Sequence, residues 1–520
     1  MAKRPKFFYH NDGSFPFYFA PPMSPEEFVY EAVGRFIGTQ VDAVVCHQFG
    51  FGDSVPLWPT EVPGAKGIDT EKVGFVSEWR QQETMFGLWE EGIDPWQLSL
   101  EAAHAAGMEY WVGNRFNDLH GARHQWVSEF RVNHPEYELG DKAASPMPRS
   151  DKQSTGLNFA IPEVRAHRLA LVEEACTRYD TDGFEWDFTR HPGYHFPNMD
   201  KGRPMLTEYM REARALLNRI GEARGRPVGF GIRVIGTPEK CHEIGLELET
   251  WIKEGLVDFV SPSPYWDTVT YLPFESFLEM AKGTDCRILG CTSEYVGPGG
   301  HECPPKSALR AGALNAWRQG VDGIYLFNFQ RAMHAKMDDS ELLSQLGDPA
   351  TLEFRDKLYA ETPARGAVSS WPSAPFYEGS DHQLPLTLEE KPSGPGETIR
   401  FLVSDDLDTA AGRGILDGVT LELILVSVTS KDAFEFKLNG KVLPKTVSLD
   451  VPLGYIVGPG SNAKQGNYAF RYDVREDGWI KQGWNEVEAV LRKRNPRVET
   501  EFVLHDLNLE INYRTMPMRT

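Results

Sequence analysis

Eight short apolar runs, separated by longer stretches with helical periodicity, fill residues 1–365 and leave few ways to fold them. The runs are Phe7–Asn11, Val41–Gln48, Met108–Asn117, Gly183–Phe188, Val228–Val234, Val257–Ser263, Arg287–Ser293 and Gly323–Phe329. Strands alternating with helices predict β/α units around a parallel sheet. A weak internal repeat supports eight units. Val41-Asp42-Ala43-Val44, Thr181-Asp182-Gly183-Phe184, Val257-Asp258-Phe259-Val260 and Val321-Asp322-Gly323-Ile324 each set an Asp just ahead of an even-numbered strand. Even strands of an eight-stranded barrel feed the same interior layers. The fold expected is α/β, a (β/α)8 TIM barrel.

The intervening helices carry start signals. Ser24-Pro25-Glu26-Glu27 offers an N-cap, a first-position proline and first-turn acids. Ile161-Pro162-Glu163-Val164 opens another helix, Leu206–Ile220 is a third, and Ser307–Gln319 leads into the eighth strand. The excursions Gly50–Gln82 and His120–Leu157 follow the second and third strands. Loops of that length in a compact domain are usually functional. After Tyr359 the composition shifts to a Pro- and Ser-rich stretch and then to strand-like runs only. These runs are Thr398–Val403, Val419–Val426, Phe434–Leu438, Tyr468–Tyr472, Glu486–Leu491 and Phe502–Tyr513, with a hairpin signal at Asn439-Gly440. The predicted division is a catalytic barrel over 1–365, a linker over 366–375 and an all-β sandwich over 376–520 that braces the barrel or binds carbohydrate.

Composition narrows the partners. A net charge of −21 over 520 residues argues against nucleic acid and against an anionic membrane surface. No apolar run reaches the ~18 residues of a transmembrane helix. The apolar stretch after the basic start, Phe7 and Phe8 onward, is too short for a signal-peptide core. The chain as given therefore reads as cytoplasmic, or as secreted or periplasmic if a leader was removed. Its six cysteines form no CxxC pair, so free thiols are expected, and no HxH or HExxH motif calls for a metal or other cofactor. Homo-oligomerisation is left open.

The chemistry is expected around the fourth strand. Residues two apart share a strand face, so Glu185 and Asp187 point one way while Phe184, Trp186 and Phe188 point the other. Three bulky apolar side chains suit packing against helices. Two carboxyl groups do not suit a dry core, because an unpartnered buried ion costs several kcal/mol, roughly. In such barrels the active site lies at the C-terminal strand ends. That rule selects His10-Asn11-Asp12, His47, Arg115 and Asn117 from the first three strands. It adds Glu185, Asp187, Arg190 and His191 from the fourth, and Arg233 from the fifth. The last three strands add Tyr265-Trp266-Asp267, Glu294-Tyr295 and Asn328. Trp266, Tyr265 or Trp58 could stack on a sugar ring. Two carboxyl groups flanking a pocket are what glycoside hydrolysis needs. Asp187 is the first candidate, with Glu294 as the acid and Asp267 as its alternative. Asn11, His47, Arg115, Asn117, Glu185, Arg190, His191, Arg233 and Asn328 are expected to bind substrate, with pairing to Arg233 or action through Arg190 as alternatives for Glu185. Arg115, Arg190, Arg233 and several His near the mouth hint at an anionic glycan carrying uronate or sulfate. Replacing Asp187 by Asn is expected to abolish turnover with little change in melting temperature.

Asp182-Gly183-Phe184-Glu185-Trp186-Asp187-Phe188, followed by Arg190-His191-Pro192, resembles the fourth-strand signature of glycoside-hydrolase-like (β/α)8 barrels. Val321-Asp322-Gly323-Ile324-Tyr325-Leu326-Phe327 resembles their last strand, and the trailing region resembles accessory sandwiches of carbohydrate-active enzymes. The resemblance implies a glycosidase acting on carbohydrate, with Asp187 catalytic. It names no sugar, linkage or stereochemical outcome. Two other readings stand beside it. One is a metal-dependent sugar isomerase or lyase, with Glu185, Asp187, His191 and His10 as ligands for Mg, Mn or Zn. The other is a non-catalytic carbohydrate-binding protein.

Overall fold

The structure, a computed structural model, describes residues 4–50, 53–67, 76–118, 127–140, 156–190, 195–264, 270–293, 306–329, 339–361, 383–445, 448–450, 467–476 and 478–516. Of the residues singled out above, His191, Tyr265, Trp266, Asp267, Glu294 and Tyr295 lie outside them.

Eight parallel strands close into a barrel in chain order. They are β1 (Phe7–Asn11), β2 (Ala43–His47), β3 (Glu109–Arg115), β4 (Gly183–Asp187), β5 (Gly229–Ile235), β6 (Phe259–Ser263), β7 (Arg287–Ser293) and β8 (Gly323–Phe327). β8 pairs back onto β1 with Phe8 opposite Tyr325 and His10 opposite Phe327. The alternation read in β4 holds. Trp186 leaves the barrel wall outward and stacks on Tyr209 of the helix Met199–Arg224, with ring centroids 5.3 Å apart. Gly183, Glu185 and Asp187 face inward.

Aromatic rings fill the lower lumen. Phe8 lies 5.7 Å from Trp111 and 5.0 Å from Phe259, and Phe259 lies 6.3 Å from Tyr325, centroid to centroid. The indole of Trp111 explains two glycines. A Cβ on Gly183 or on Gly229 would come within 2.4 Å of that ring. Gly183, the first residue of β4, therefore serves close approach by a side chain.

The repeated Asp has a mechanical role at the N-terminal rim. Asp42 Oδ2 accepts from the Lys6 and Phe7 amides at 2.8 and 3.2 Å. Asp182 Oδ2 accepts from the Tyr110 amide at 2.8 Å, Asp258 Oδ2 from Phe230 at 2.7 Å and Asp322 Oδ2 from Ile288 at 2.9 Å. Each carboxylate before an even strand thus clips the start of the odd strand beside it. The Asp backbone amides extend the same ladders, to Phe7, Tyr110, Phe230 and Ile288 carbonyls at 2.7–2.9 Å. This is the face of a barrel where side chains serve stability. Asp182 also accepts from Arg226 at 3.0 Å and contacts His104 at 2.8 Å. Asp182→Ala should lower stability by about 1–3 kcal/mol, the cost of stranding those donors. Urea unfolding reads this directly, and an unchanged midpoint would mean that solvent replaces the clip.

Helices begin where their caps predict. The helix Pro25–Ala32 carries a full capping box between Ser24 and Glu27. Among the described residues, no helix is long and apolar enough to cross a membrane.

The chain divides into two compact units. The first comprises 1–265, 273–291 and 320–347, and the second 266–272, 292–319 and 348–520. The second holds β9 (Lys357–Glu361), β10 (Leu386–Thr387), β11 (Glu397–Val403), β12 (Leu416–Val426), β13 (Ala433–Leu438), β14 (Lys441–Val442), β15 (Ser448–Asp450), β16 (Asn467–Asp473), β17 (Gly483–Lys493) and β18 (Val503–Tyr513). One sheet runs β10-β18-β12-β16-β15 with β9 also on β18, and the other runs β11-β17-β13-β14. Asn439 and Gly440 both take positive φ, +50° and +81°, in the tight turn between β13 and β14. Leu421, Leu423, Val487, Leu507 and Leu509 lie in the apolar core of this unit. A polar brace is buried within it. Lys357 Nζ donates to Asp405 at 2.9 Å, and the hydroxyls of Tyr359 and Tyr513 donate to the same carboxylate at 2.5 Å each.

Candidate functional site

The C-terminal rim of the barrel gathers polar side chains on the lumen face. Their positions follow from strand parity. Phe8 and His10, Trp111 and Arg115, Glu185 and Asp187, and Tyr325 and Phe327 alternate inward along β1, β3, β4 and β8.

Asp187 sits at the end of β4, and both of its carboxylate oxygens are engaged. Oδ1 accepts from the Thr189 amide at 2.8 Å and from the Thr189 hydroxyl at 2.5 Å. Oδ2 accepts from Arg233 Nη1 at 3.0 Å. Thr189 lies two residues on, so its hydroxyl and amide close a local turn on the carboxylate. Arg233, in register with Asp187 on β5, is itself fixed. It donates through Nε to Ser263 at 3.0 Å, through Nη2 to the Pro264 carbonyl at 3.3 Å, and through Nη1 to the Thr189 hydroxyl as well. Its guanidinium lies 3.3 Å above the centroid of the Phe327 ring. Asp187 is 1% exposed and Arg233 0%. Burial pushes the Asp187 carboxyl up, but the Arg233 charge and the Thr189 hydrogen bonds outweigh it and hold it below the usual carboxylate range. Asp187 is therefore ionised at neutral pH.

Glu185, two residues deeper on the same face, is the opposite case. It is 0% exposed. The Tyr325 hydroxyl reaches its Oε2 at 3.3 Å, and His10 Nε2 lies 3.9 Å from the same oxygen. Oε1 has no hydrogen-bond partner among the described residues. The nearby cation, Arg233, is held by Asp187. Burial first, and the Asp187 charge second, push the Glu185 carboxyl well above the usual range. The space for Glu185 comes from Gly113 on β3, where a Cβ would meet Glu185 Oε2 at 3.4 Å and Val45 at 3.0 Å.

The other expected residues divide by direction. His10 and His47 are buried in this part of the barrel. Burial pushes the His10 imidazole well below its ordinary value, against the pull of Asp187. Burial, reinforced by the Arg115 charge, pushes His47 down to about 3. Arg115 is shared by two acids that sequence reasoning passed over as partners. It donates to Asp118 at 3.2 Å and to Asp12 at 3.5 Å. Asn11, one residue off the inward parity of His10, donates instead to the Glu31 carbonyl of the helix Pro25–Ala32 at 3.3 Å. Asn117 clasps the Leu157 backbone, donating at 3.0 Å and accepting at 3.2 Å. Arg190 is buried just past Thr189. Asn328 takes a positive φ of +52°, and its amide donates to the His10 carbonyl at 3.2 Å. The structure thus brings Asp187, Glu185, Arg233 and His10 together and turns Asn11 and Asn117 to backbone partners.

Sequence reasoning also missed Thr189, Ser263, Tyr325 and Phe327. Thr189 carried a usable signal, a hydroxyl two residues after a strand-end acid. Trp58, considered as a sugar platform, is buried and donates to Glu174 at 3.0 Å. A network missed in the sequence ties the excursion after β2 to neighbouring helices. Asp53 accepts from Arg168 at 2.8 Å and from the Ser128 amide at 2.9 Å, and Arg131 Nη2 forms an ion pair with it at 2.9 Å. Among the described residues, no group of three or more His, Cys, Asp and Glu is arranged to hold a metal ion.

No protein-family model matches the chain. It is similar to the glycosyl hydrolase DigH of Escherichia coli strain K12, 22% identical over 257 residues, covering 41% of this chain and 52% of the relative. DigH of Shigella flexneri gives the same figures. The chain spans about half the length of the curated relatives it matches. Among solved structures, it resembles an endo-β-1,4-mannanase from Thermotoga petrophila at 11% identity, covering 97% of each chain, with a TM-score of 0.43. An Anoxybacillus α-amylase matches at 11% identity over 94% of this chain and 98% of the other, with a TM-score of 0.38.

Proposed function

We infer that the chain is a glycoside hydrolase that cleaves a glycosidic bond with a pair of carboxyl groups, one of them Asp187. The observation that carries this reading is the state of Asp187. It is an ionised carboxylate fixed at three points on the lumen side of a barrel strand end, where (β/α)8 barrels do their chemistry. Its likeness to DigH supports the same class. Asp187 acts as nucleophile or base. Glu294, which follows β7 in the sequence, is the acid, and Asp267, which follows β6, is its alternative. The substrate is a carbohydrate. The anionic-glycan reading rested on Arg115, Arg190 and Arg233, and two of these already face carboxylates, Asp12 and Asp118 for the first and Asp187 for the second. Residues 1–365 form the catalytic part, 366–375 the linker, and the sandwich over 376–520 is an accessory module.

The test is turnover of a panel of aryl glycosides and polysaccharides, followed by replacement of Glu294 and Asp267 in turn. The acid variant should keep far more activity on an activated aryl leaving group than on a poor one, since a good leaving group needs no proton. Binding without product across the whole panel would leave a carbohydrate-binding protein and sink the hydrolase. Loss of activity with a chelator, restored by a divalent ion, would favour the metal-dependent alternative.

A further inference from the structure

The barrel holds two inward carboxyl groups on one strand face, Glu185 and Asp187, roughly 6.6 Å apart along the strand at ~3.3 Å per residue. Among the described residues, the cation acting on both is Arg233, and it contacts Asp187. A second buried carboxylate without a cation would cost several kcal/mol, about what drives such a group to keep its proton. The groups around Glu185 agree with this charge count. His10 and Tyr325 approach from β1 and β8, Asp187 lies above on β4, and Arg233 comes from β5. His47 and Arg115, from β2 and β3, act on His10 and keep it neutral with burial. The charge count thus favours a proton on Glu185. Its Oε2 accepts from Tyr325, so the proton belongs on Oε1, a buried donor with no acceptor among the described residues. His10 Nδ1 and the hydroxyl of Ser261, on β6, are likewise buried without hydrogen-bond partners among the described residues. Together they offer uncharged donors and acceptors. A sugar hydroxyl, which both donates and accepts, fits such a set, whereas a carboxylate or sulfate ester needs cations, and here Arg233 faces Asp187 while Arg115 faces Asp12 and Asp118.

We propose that Glu185, bearing a proton, is the hydrogen-bond donor that seats an uncharged sugar hydroxyl at the floor of the site, so that the reacting sugar is neutral rather than a uronate or sulfate ester. This rests on the glycosidase reading and names its substrate class. Glu185 would be a binding and specificity-determining residue beneath Asp187, with His10 beside it.

Binding and turnover are measured separately on the full chain, with the 4-nitrophenyl glucoside, galactoside, mannoside and glucuronide as probes. The expected result is a neutral glycoside preferred to the glucuronide. Glu185→Ala should weaken that binding about tenfold or more, the effect of losing one good hydrogen bond in a buried site. Glu185→Gln, whose amide still donates, should weaken it only about threefold and remains informative if the Ala variant fails to fold. Glu185 donates only while protonated, so binding to the wild-type chain should weaken as pH rises through its elevated value, and binding to Glu185→Gln should not. Preference for the glucuronide, unchanged binding in both variants, or no binding of any probe overturns the proposal. Binding that depends on Glu185 without turnover keeps it while ending the hydrolase reading. Turnover with KM unmoved in both variants does the reverse.

Discussion

Asp187→Asn should cut kcat on the best glycoside by about four orders of magnitude, because an amide can neither attack an anomeric carbon nor accept a proton. The structure adds a second consequence that the sequence alone did not suggest. From sequence, the substitution looked neutral for the fold. In the barrel, Asp187 accepts from three donors, two from Thr189 on Oδ1 and one from Arg233 on Oδ2. Asparagine has one oxygen. Turned toward Thr189, it presents its NH2 to the Arg233 guanidinium and strands a fully buried charge. Turned toward Arg233, it leaves the Thr189 amide facing another donor. Either way the melting temperature should fall, so kcat must be normalised to the folded fraction, read by circular dichroism at the assay temperature. A folded Asp187→Asn protein that keeps more than about a tenth of wild-type kcat would remove Asp187 from the chemistry, since loss of a reacting group is far costlier than that.

The sequence disclosed the fold through properties that act over a few residues. Strand positions came from apolar runs, and the inward and outward faces of β4 came from parity. The Asn439-Gly440 turn came from two residues that tolerate positive φ. Even the Asp repeat was visible, although its purpose was not, because the amides it clips belong to the neighbouring strand. The site was harder for the same reason. Asp187 and Arg233 are 46 positions apart, and which acid Arg233 serves depends on barrel register, not on spacing. Sequence reasoning allowed a Glu185–Arg233 pair, but the register sets Arg233 opposite Asp187 and Gly231 opposite Glu185. Asn11 and Asn117 were selected by nearness to a strand end without regard to parity. Each turned out to hold backbone, the helix Pro25–Ala32 in one case and the Leu157 segment in the other. Parity would have separated Asn11 from His10, since Phe8 and His10 share a face. Nothing local distinguishes Asn117.

Arg233→Met should be the most damaging single change to stability in the barrel, at about 3–5 kcal/mol near neutral pH, the cost of removing one partner of a buried ion pair. Methionine fills much of the aliphatic volume, so the loss is electrostatic. Asp187 would remain with Thr189 alone, and the contacts to Ser263, the Pro264 carbonyl and the Phe327 ring would go as well. The pH dependence identifies the cause. In the wild type, the Asp187 carboxyl is held below its unfolded value, so its contribution is present above that value and lost as pH falls through the folded one. Without Arg233, burial is opposed mainly by the Thr189 hydrogen bonds, and the folded value should rise above the unfolded one. The variant then binds a proton that its unfolded chain has released, and its stability declines as pH rises. The gap between the two proteins should therefore widen from pH 4.5 to pH 8 in urea unfolding. Arg233→Met combined with Asp187→Leu removes both charges and should be more stable than Arg233→Met alone, because no stranded ion remains. A gap that stays constant with pH, together with no recovery in the double variant, would show that Arg233 supports the barrel by packing and that Asp187 owes its ionised state to Thr189.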